Sequence, residues 1–381
     1  MLTMLGRIRS SQLATAWLRL GMDGPRGRHD MQLGAPSMTN LRGHETVVLF
    51  PSLGHLEPDG VTWRLHVQGD VYSSGRVGLA KRILLRLLQR AMRVPREALE
   101  SEIFQDRIQR FLAADERGKR IALKLGESTF VLARKSAGNG HFSGVIRLRS
   151  DDLSRLRHSG RLEHDQVVLD VCHPQEEILS QGIVHLIPPE GVSIVSDIDD
   201  TLKHTDVASR HALLANTFLQ QFRPIAGMAE QFQRWADAGA AFHYVSSSPW
   251  QLYRHLAEHL AEEGFPEGTF HLRAFRLRDH LLRRLLLLRR SGKGSVIKGI
   301  LRAFPRRKFV LIGDSGEADP EIYASLARRY PQQVGRILIR EVESPRNNPR
   351  RFGKAFRGLG SDVAATFREA GELAAAVESL R

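Results

Sequence analysis

The chain has one cysteine, Cys172, in 381 residues, which excludes an internal disulfide and fits a reducing compartment. It has no apolar run approaching the roughly 18–20 residues that cross a bilayer as a helix. Its histidines form no HExxH pair and its glycine-rich patches no GxxxxGK[ST]. Neither a zinc-protease helix nor a nucleotide P-loop is therefore indicated. No internal repeat is visible, and the first residues lack the apolar stretch and small-residue cleavage site of a secretory signal. Acidic residues are in deficit: 42 Asp and Glu against 56 Lys and Arg leave a formal charge of +14. Such a surplus attracts polyanions, whether nucleic acid, an anionic lipid surface or a phosphorylated substrate. A solvated Arg-rich surface reflecting codon bias accounts for it equally well, so charge alone selects no partner.

What is present is an ordinary globular composition, 42% hydrophobic and 26% charged, long enough for two compact domains. Residues 1–43, punctuated by Gly, Pro, Arg and Ser, read as a disordered leader; Met22, Met31 and Met38 leave the translation start open. Residues 44–190 read as a β-rich domain. Residues 61–68 alternate with Val61, Trp63, Leu65 and Val67 on one face, and 120–125 and 129–133 are further strands. A helical hairpin interrupts them, its first arm at 77–92.

After Pro188-Pro189-Glu190-Gly191 the texture changes. Apolar strands at 192–197, 240–246, 309–313 and 335–340 alternate with helices at 227–238, 249–263 and 320–330. That alternation predicts a parallel sheet with helices on both faces, a Rossmann-like α/β domain over 191–345. Residues 346–381 remain as a C-terminal tail with a helix.

In an open parallel sheet, ligands bind beyond the carboxyl ends of the strands. Three of the expected strands run into polar residues there: Ser196-Asp197-Ile198-Asp199-Asp200-Thr201, Ser246-Ser247-Ser248, and Gly313-Asp314-Ser315-Gly316-Glu317-Ala318-Asp319. Lys298 falls in a helix just before the third strand. Phosphoryl transfer suits such a set. An Asp carboxylate can attack phosphorus to form an aspartyl phosphate, provided a cation screens the repulsion between two anions. Magnesium held by carboxylates would supply that screening. A second Asp two residues on can protonate the leaving oxygen and then activate water. Lys and Ser can hold the phosphoryl oxygens.

The order DxDx[TV], Ser or Thr, Lys, acidic pair resembles the haloacid dehalogenase superfamily. SDIDDT (196–201), FHYVSSSPWQLY (242–253) and GDSGEADPEIY (313–323) are similar to the phosphatidate phosphatase family first associated with yeast actin patches. Shorter pieces agree: NTF (216–218), GM (227–228), KG (298–299), FPRRKF (304–309), GDVYS (69–73), NGHF (139–142) and GIVHLIPPEG (182–191). The resemblance covers most of residues 45–340.

It implies a haloacid-dehalogenase-type sheet domain behind the β-rich one, with Asp197 as nucleophile and Asp199 as acid/base. Thr201 would orient the loop, and Ser246 and Lys298 would bind the phosphoryl group, with Ser247 in reserve. Mg2+ would be held by Asp197, Asp314, Asp319 and the main-chain carbonyl of Asp199. Asp200 receives no role; the related lipin phosphatases commonly have Gly there. The implied substrate is phosphatidate, in a cytoplasmic protein peripheral at the inner membrane surface.

Other readings stay open. Identical motifs would serve a phosphatase of a soluble or protein-borne phosphomonoester. A basic lipid- or nucleic-acid-binding module with an inactive site is a different class, opposed by the completeness of the set. Residues 278–290 place Leu281, Leu282, Leu285 and Leu288 near one helical face, as an interfacial helix or, more commonly, a core helix would. Trp250 and Tyr253 could touch lipid or substrate, although packing is the more ordinary use. Only a short segment, 209–225, separates the nucleophile loop from the next helix, leaving little room for a large cap.

Overall fold

The computed structural model describes residues 39–74, 79–172, 178–206, 209–274, 292–344 and 347–373. Residues 278–290 lie outside them, as do nearly all of the leader and residues 374–381.

Ten strands form the first sheet. They are β1 (Glu45–Leu49), β2 (Ser52–Leu56), β3 (Thr62–Ser73), β4 (Ala114–Asp115) and β5 (Ala122–Leu125), then β6 (Ser128–Val131), β7 (His141–Arg149), β8 (Leu162–Glu163), β9 (Gln166–Cys172) and β10 (Ile178–Leu186). The long strand β3 pairs antiparallel with β1, β2, β4 and β7. Leu65, Val67 and Val71 alternate onto the face that packs in the first sheet's core, as a period of two requires, and His66, Gln68 and Asp70 between them are buried on the other face. Val61 stands just before the strand and is 42% exposed, so the expected face opens two residues later.

The insertion in this sheet is helical, with α1 (Leu79–Met92) and α2 (Glu102–Leu112), and α3 (Ser150–His158) follows β7. The Ser101 hydroxyl caps α2 by accepting from the Phe104 N–H, which satisfies one of the helix's free donors.

The second sheet has six parallel strands in the order β13, β12, β11, β14, β15, β16. These are β11 (Val192–Ser196), β12 (Ala241–Pro249), β13 (Thr269–Arg273), β14 (Lys308–Asp314), β15 (Val334–Arg340) and β16 (Ala364–Phe367). Its helices are α4 (Arg210–Phe218), α5 (Met228–Asp237), α6 (Tyr253–Glu262), α7 (Lys293–Ala303), α8 (Asp319–Arg329) and α9 (Pro349–Ala355). Successive residues of the central strands feed opposite layers. Ile194 and Val310 pack with Met228 and Phe232 of α5, whereas Val195 and Leu311 pack with Ile297 of α7 and Tyr323 of α8. A strand buried on both faces needs this near-continuous apolar run. The expected tail supplies the helix α9 and also the edge strand β16, which its polar flanks conceal.

The first sheet has a core of its own, and its helical insertion and the β1–β2 region also pack into the cores of the second sheet. Leu84, Leu88 and Met92 of α1 and Phe104, Ile108 and Phe111 of α2 cluster with Leu214 and Phe218 of α4. Phe50 stacks on Trp250 with centroids 4.7 Å apart and planes 5° from parallel. Trp250 and Tyr253 are both buried, so their role is packing rather than contact with lipid. Arg107 of α2 donates to the carbonyls of Thr217 (2.7 Å) and Gln220 (2.6 Å) and lies 3.8 Å over the Phe222 ring. At the other end of the contact, His55 and His66 stack with centroids 5.2 Å apart. Phe304 lies between His55 (5.8 Å) and His243 (6.1 Å), and His271 completes the group 5.9 Å from His243.

Candidate active site

Strands β11 and β14 are neighbours, and the polar residues beyond their ends meet. The Asp197 N–H donates to the Ile312 carbonyl at 2.8 Å, which extends the pairing one residue past β11 and fixes where the Asp197 side chain starts. Asp197, Asp314 and Asp319 bring one carboxylate oxygen each within 4.8 Å of one another, and all three are buried. Asp319 opens α8 with Pro320 in the first turn, a favoured place for both residue types. Gly313 is required by this approach: a Cβ there would stand 2.1 Å from Asp319 Oδ2.

Lys293, the first residue of α7, closes the cluster. Its ammonium lies 2.9 Å from Asp197 Oδ1, 2.7 Å from Asp319 Oδ1 and 3.4 Å from Glu317 Oε2. Burial opposes a charged lysine, but Asp197 and Asp319 hold its pKa well above the ordinary value. Burial pushes the Asp197 carboxyl well up; Lys293 opposes this, while Asp319, Glu317 and Asp314 add to it. Burial, then Asp319 and Glu317, do the same to Asp314. Four carboxylates thus crowd around the Lys293 ammonium, with Arg351 acting on Asp314 and Asp319 and Arg340 on Asp314 from farther off.

The donors of this cluster suit a hard divalent cation. Asp314 Oδ1 is occupied, accepting from the N–H groups of Gly316 (2.6 Å) and Glu317 (2.9 Å). Its Oδ2 is buried with no hydrogen-bond partner. A buried, unpartnered carboxylate oxygen is costly, and a cation accepting it together with oxygens of Asp197 and Asp319 removes that cost.

Asp199 points elsewhere. Its Oδ1 accepts from Lys203 Nζ (2.7 Å) and Thr205 Oγ1 (2.9 Å), and its Oδ2 from Ser246 Oγ (2.9 Å) and Ser248 Oγ (2.8 Å). Burial raises its pKa, but Lys203 by charge and hydrogen bond, with Ser248 and Thr205, brings it down to about 2. Lys203 is itself fully buried and lies 4.5 Å over the Phe222 ring. The Thr201 hydroxyl faces Asp197 Oδ2 at 3.4 Å. Asp200 adopts φ 55°, and its Oδ1 accepts from the N–H groups of Thr205 (2.7 Å) and Asp206 (2.8 Å). A left-handed residue whose short side chain bonds its own backbone is a turn device, and Gly is the other residue that adopts it without strain.

The expected residues are thus brought together with two differences. Lys298 is half-buried farther along α7 and forms no ion pair with these carboxylates among the described residues; the cation among them is Lys293, five positions earlier. Five residues is about 500° of helix rotation, so the two lysines leave α7 about 140° apart. A lysine in the first turn of a helix opposes the macrodipole, and here the ion pairs with Asp197 and Asp319 outweigh that cost. Ser246 donates to Asp199 rather than standing free for a phosphoryl oxygen. Sequence reasoning also missed Lys203, Thr205, Ser248 and Glu317, whose relevance appears only once the loop is folded.

The second sheet is a parallel sheet flanked by helices, with this acidic cluster at the carboxyl edge of β11 and β14. Residues 192–341 match the family model described as the catalytic domain of phosphatidate phosphatase APP1. The chain is 34% identical over 165 residues to an uncharacterised protein of Schizosaccharomyces pombe, 42% of this chain and 27% of that one. It is 34% identical over 158 residues to phosphatidate phosphatase APP1 of Saccharomyces cerevisiae, 40% of this chain and 26% of that one. A solved Thermotoga maritima structure described as a β-phosphoglucomutase aligns over 50% of this chain and 99% of its own. Its identity of 13% and TM-score of 0.31 are too low to bear on the fold. Over residues 192–341 the chain is thus similar to the APP1 catalytic-domain family. It spans about a quarter of the length of the two yeast proteins.

Proposed function

We propose that this chain hydrolyses a phosphomonoester through an aspartyl phosphate on Asp197, and that its substrate is phosphatidate. The observation that carries the reading is the buried meeting of Asp197, Asp314 and Asp319 with Lys293 Nζ, 2.9 Å from the attacking carboxylate. The family match supplies the substrate class.

A magnesium ion held by Asp197, Asp314 and Asp319 would screen the approach of carboxylate to phosphate. Lys293 opposes the rise in proton affinity that burial and the neighbouring carboxylates impose on Asp197, orients it by a direct ion pair, and offers its ammonium to the charge that develops on the phosphoryl oxygens. An Asp197 oxygen attacks phosphorus, and the bond from phosphorus to the leaving alkoxide breaks as Asp199 gives that oxygen a proton. Asp199 then takes a proton from water, which attacks phosphorus and releases Asp197 and inorganic phosphate. Asp199 is ionised in the resting geometry, the form needed for the second half. The first half needs the protonated form; a phosphomonoester entering as its monoanion would bring that proton on a phosphoryl oxygen and pass it to Asp199, whose proton affinity the remaining phosphoryl charge raises.

Phosphate release from phosphatidate in mixed micelles and from an aryl phosphate, each with and without magnesium, tests this reading. Magnesium-dependent release from both is expected, with an acyl phosphate on Asp197 trapped by hydroxylamine. Release from soluble esters alone would move the substrate to the soluble class. No release from any phosphomonoester with divalent cations present would falsify the enzymatic reading.

A further inference from the structure

The helix α1, which nothing in the catalytic chemistry uses, carries an unbalanced basic face. Its sequence, Leu79 to Met92, contains no acidic residue. Arg82, Arg86 and Arg90 follow one another at intervals of four and are exposed, and Arg93 continues the row just past the helix end. At 100° per residue the three helical arginines fall within an 80° arc. Among the described residues none of the four has a carboxylate within ion-pair distance. Beside the row stands Ile83, 45% exposed and, with Val61, one of two exposed large hydrophobic residues in the described chain. The opposite side of the helix is anchored: Leu84, Leu88 and Met92 are at most 2% exposed in the shared core.

Like charges four apart destabilise a helix, and here tertiary packing overrides that penalty. Dissolved ions screen that repulsion in part, and a polyanionic surface would relieve it further. The helix is also one element from the chemistry. It packs on α4, whose Asn216 side chain donates to the Thr205 carbonyl (3.0 Å), and the Thr205 hydroxyl donates to Asp199.

We infer that α1 docks this protein on an anionic lipid surface, with Arg82, Arg86, Arg90 and Arg93 against headgroup phosphates and Ile83 entering the interface. Guanidinium forks match phosphate oxygens. The exposed isoleucine beside them, together with the phosphatidate-directed site one helix away, favours lipid over nucleic acid. The choice of lipid therefore rests on the proposed function; the basic face does not.

Co-sedimentation of the full chain with phosphatidylcholine vesicles containing 0 to 30% phosphatidylserine, at low and physiological salt, tests the inference. Binding is expected to rise with phosphatidylserine and fall with salt. The variant Arg82→Gln/Arg86→Gln/Arg90→Gln should bind roughly 100-fold more weakly, at about fivefold for each cation lost near the surface. Arg302→Gln/Arg329→Gln/Lys354→Gln, with the same charge loss elsewhere, should change binding by less than about threefold. Thermal unfolding of each variant shows that the fold is intact. Unchanged binding in the α1 variant, or equal losses in both triple variants, overturns the inference. So does binding of a DNA duplex as tight as that of vesicles together with no effect of Ile83→Ser, which would mark a surface for nucleic acid. Vesicle binding without hydrolysis of any phosphomonoester would instead overturn the enzymatic reading and leave this one standing.

Discussion

Lys293 Nζ and Asp197 Oδ1 lie 2.9 Å apart with both side chains at most 6% exposed, so the ammonium and the carboxylate depend on each other. Replacing Lys293 with Gln should reduce kcat by 10²–10³-fold, the range for loss of one preorganised donor at a developing charge. Lys298→Gln should stay within about twofold of wild type. Steady-state rates on an aryl phosphate check both. A large loss at Lys298 with a small one at Lys293 would reverse the assignment.

Asp197→Asn should abolish turnover while leaving thermal stability within a few degrees, because the amide keeps the shape but cannot form the acyl phosphate. Retention of a tenth of wild-type activity in a clean preparation would rule out Asp197 as nucleophile.

Asp314 offers a separate readout. Its carboxyl is pushed toward the neutral form by burial and by Asp319 and Glu317, so Asp314→Asn should raise the melting temperature of the magnesium-free protein. Wild type should gain stability as magnesium is added, by mass action, and the variant should not. Melting curves across a magnesium titration measure both effects. A variant stabilised by magnesium as much as wild type would remove Asp314 from the ligand set.

Asp200 tests the turn. Asp200→Gly keeps the positive φ free of strain but loses two side-chain bonds to backbone, whereas Asp200→Ala loses the bonds and adds strain. The Ala variant should be less stable than the Gly variant by about 1 kcal/mol in urea denaturation. Equal stabilities would show that backbone strain at this position has no weight.

His271 lies at the contact between the sheets and is kept neutral there. Burial pushes its pKa to about 3, while in the unfolded chain it takes up a proton near pH 6.5. Below pH 6.5 the unfolded chain thus binds more protons, so the stability His271 confers is intact above that pH and is lost as pH falls toward 3. Between pH 6.5 and 4, wild type should lose about 1.4 kcal/mol per pH unit more than His271→Gln. Parallel denaturation curves for the two proteins would expose the absence of that difference.

Much of the catalytic sheet was legible because strands buried on both faces must be apolar runs, and because their polar ends stand out against them. Asp197, Asp314 and Asp319 were readable for that reason, and the structure brings them together. Lys293 was not, because two lysines five residues apart on one helix look alike until the helix is turned to face the sheet. Lys203 sits in a turn without regular period, and its partner Asp199 is fixed by a fold of the loop that no spacing expresses. The strand β16 was hidden because four residues among polar neighbours carry too little pattern to separate them from a tail. Val61 continues the apolar alternation of β3 but falls outside the strand, since periodicity indicates a face and not where pairing stops.

The clustering of Leu84, Leu88, Met92, Phe104 and Phe111 with Leu214 and Phe218, beside the Phe50–Trp250 stack, has a consequence for evolution by domain shuffling. A catalytic sheet transplanted without its partner would present these apolar surfaces to water, and at the cost of exposing buried aromatic area it would associate with whatever covered them. The chain should therefore be inherited, expressed and melted as one cooperative body, and a relative carrying this catalytic sheet in a different setting must bring another lid for Phe218 and Trp250.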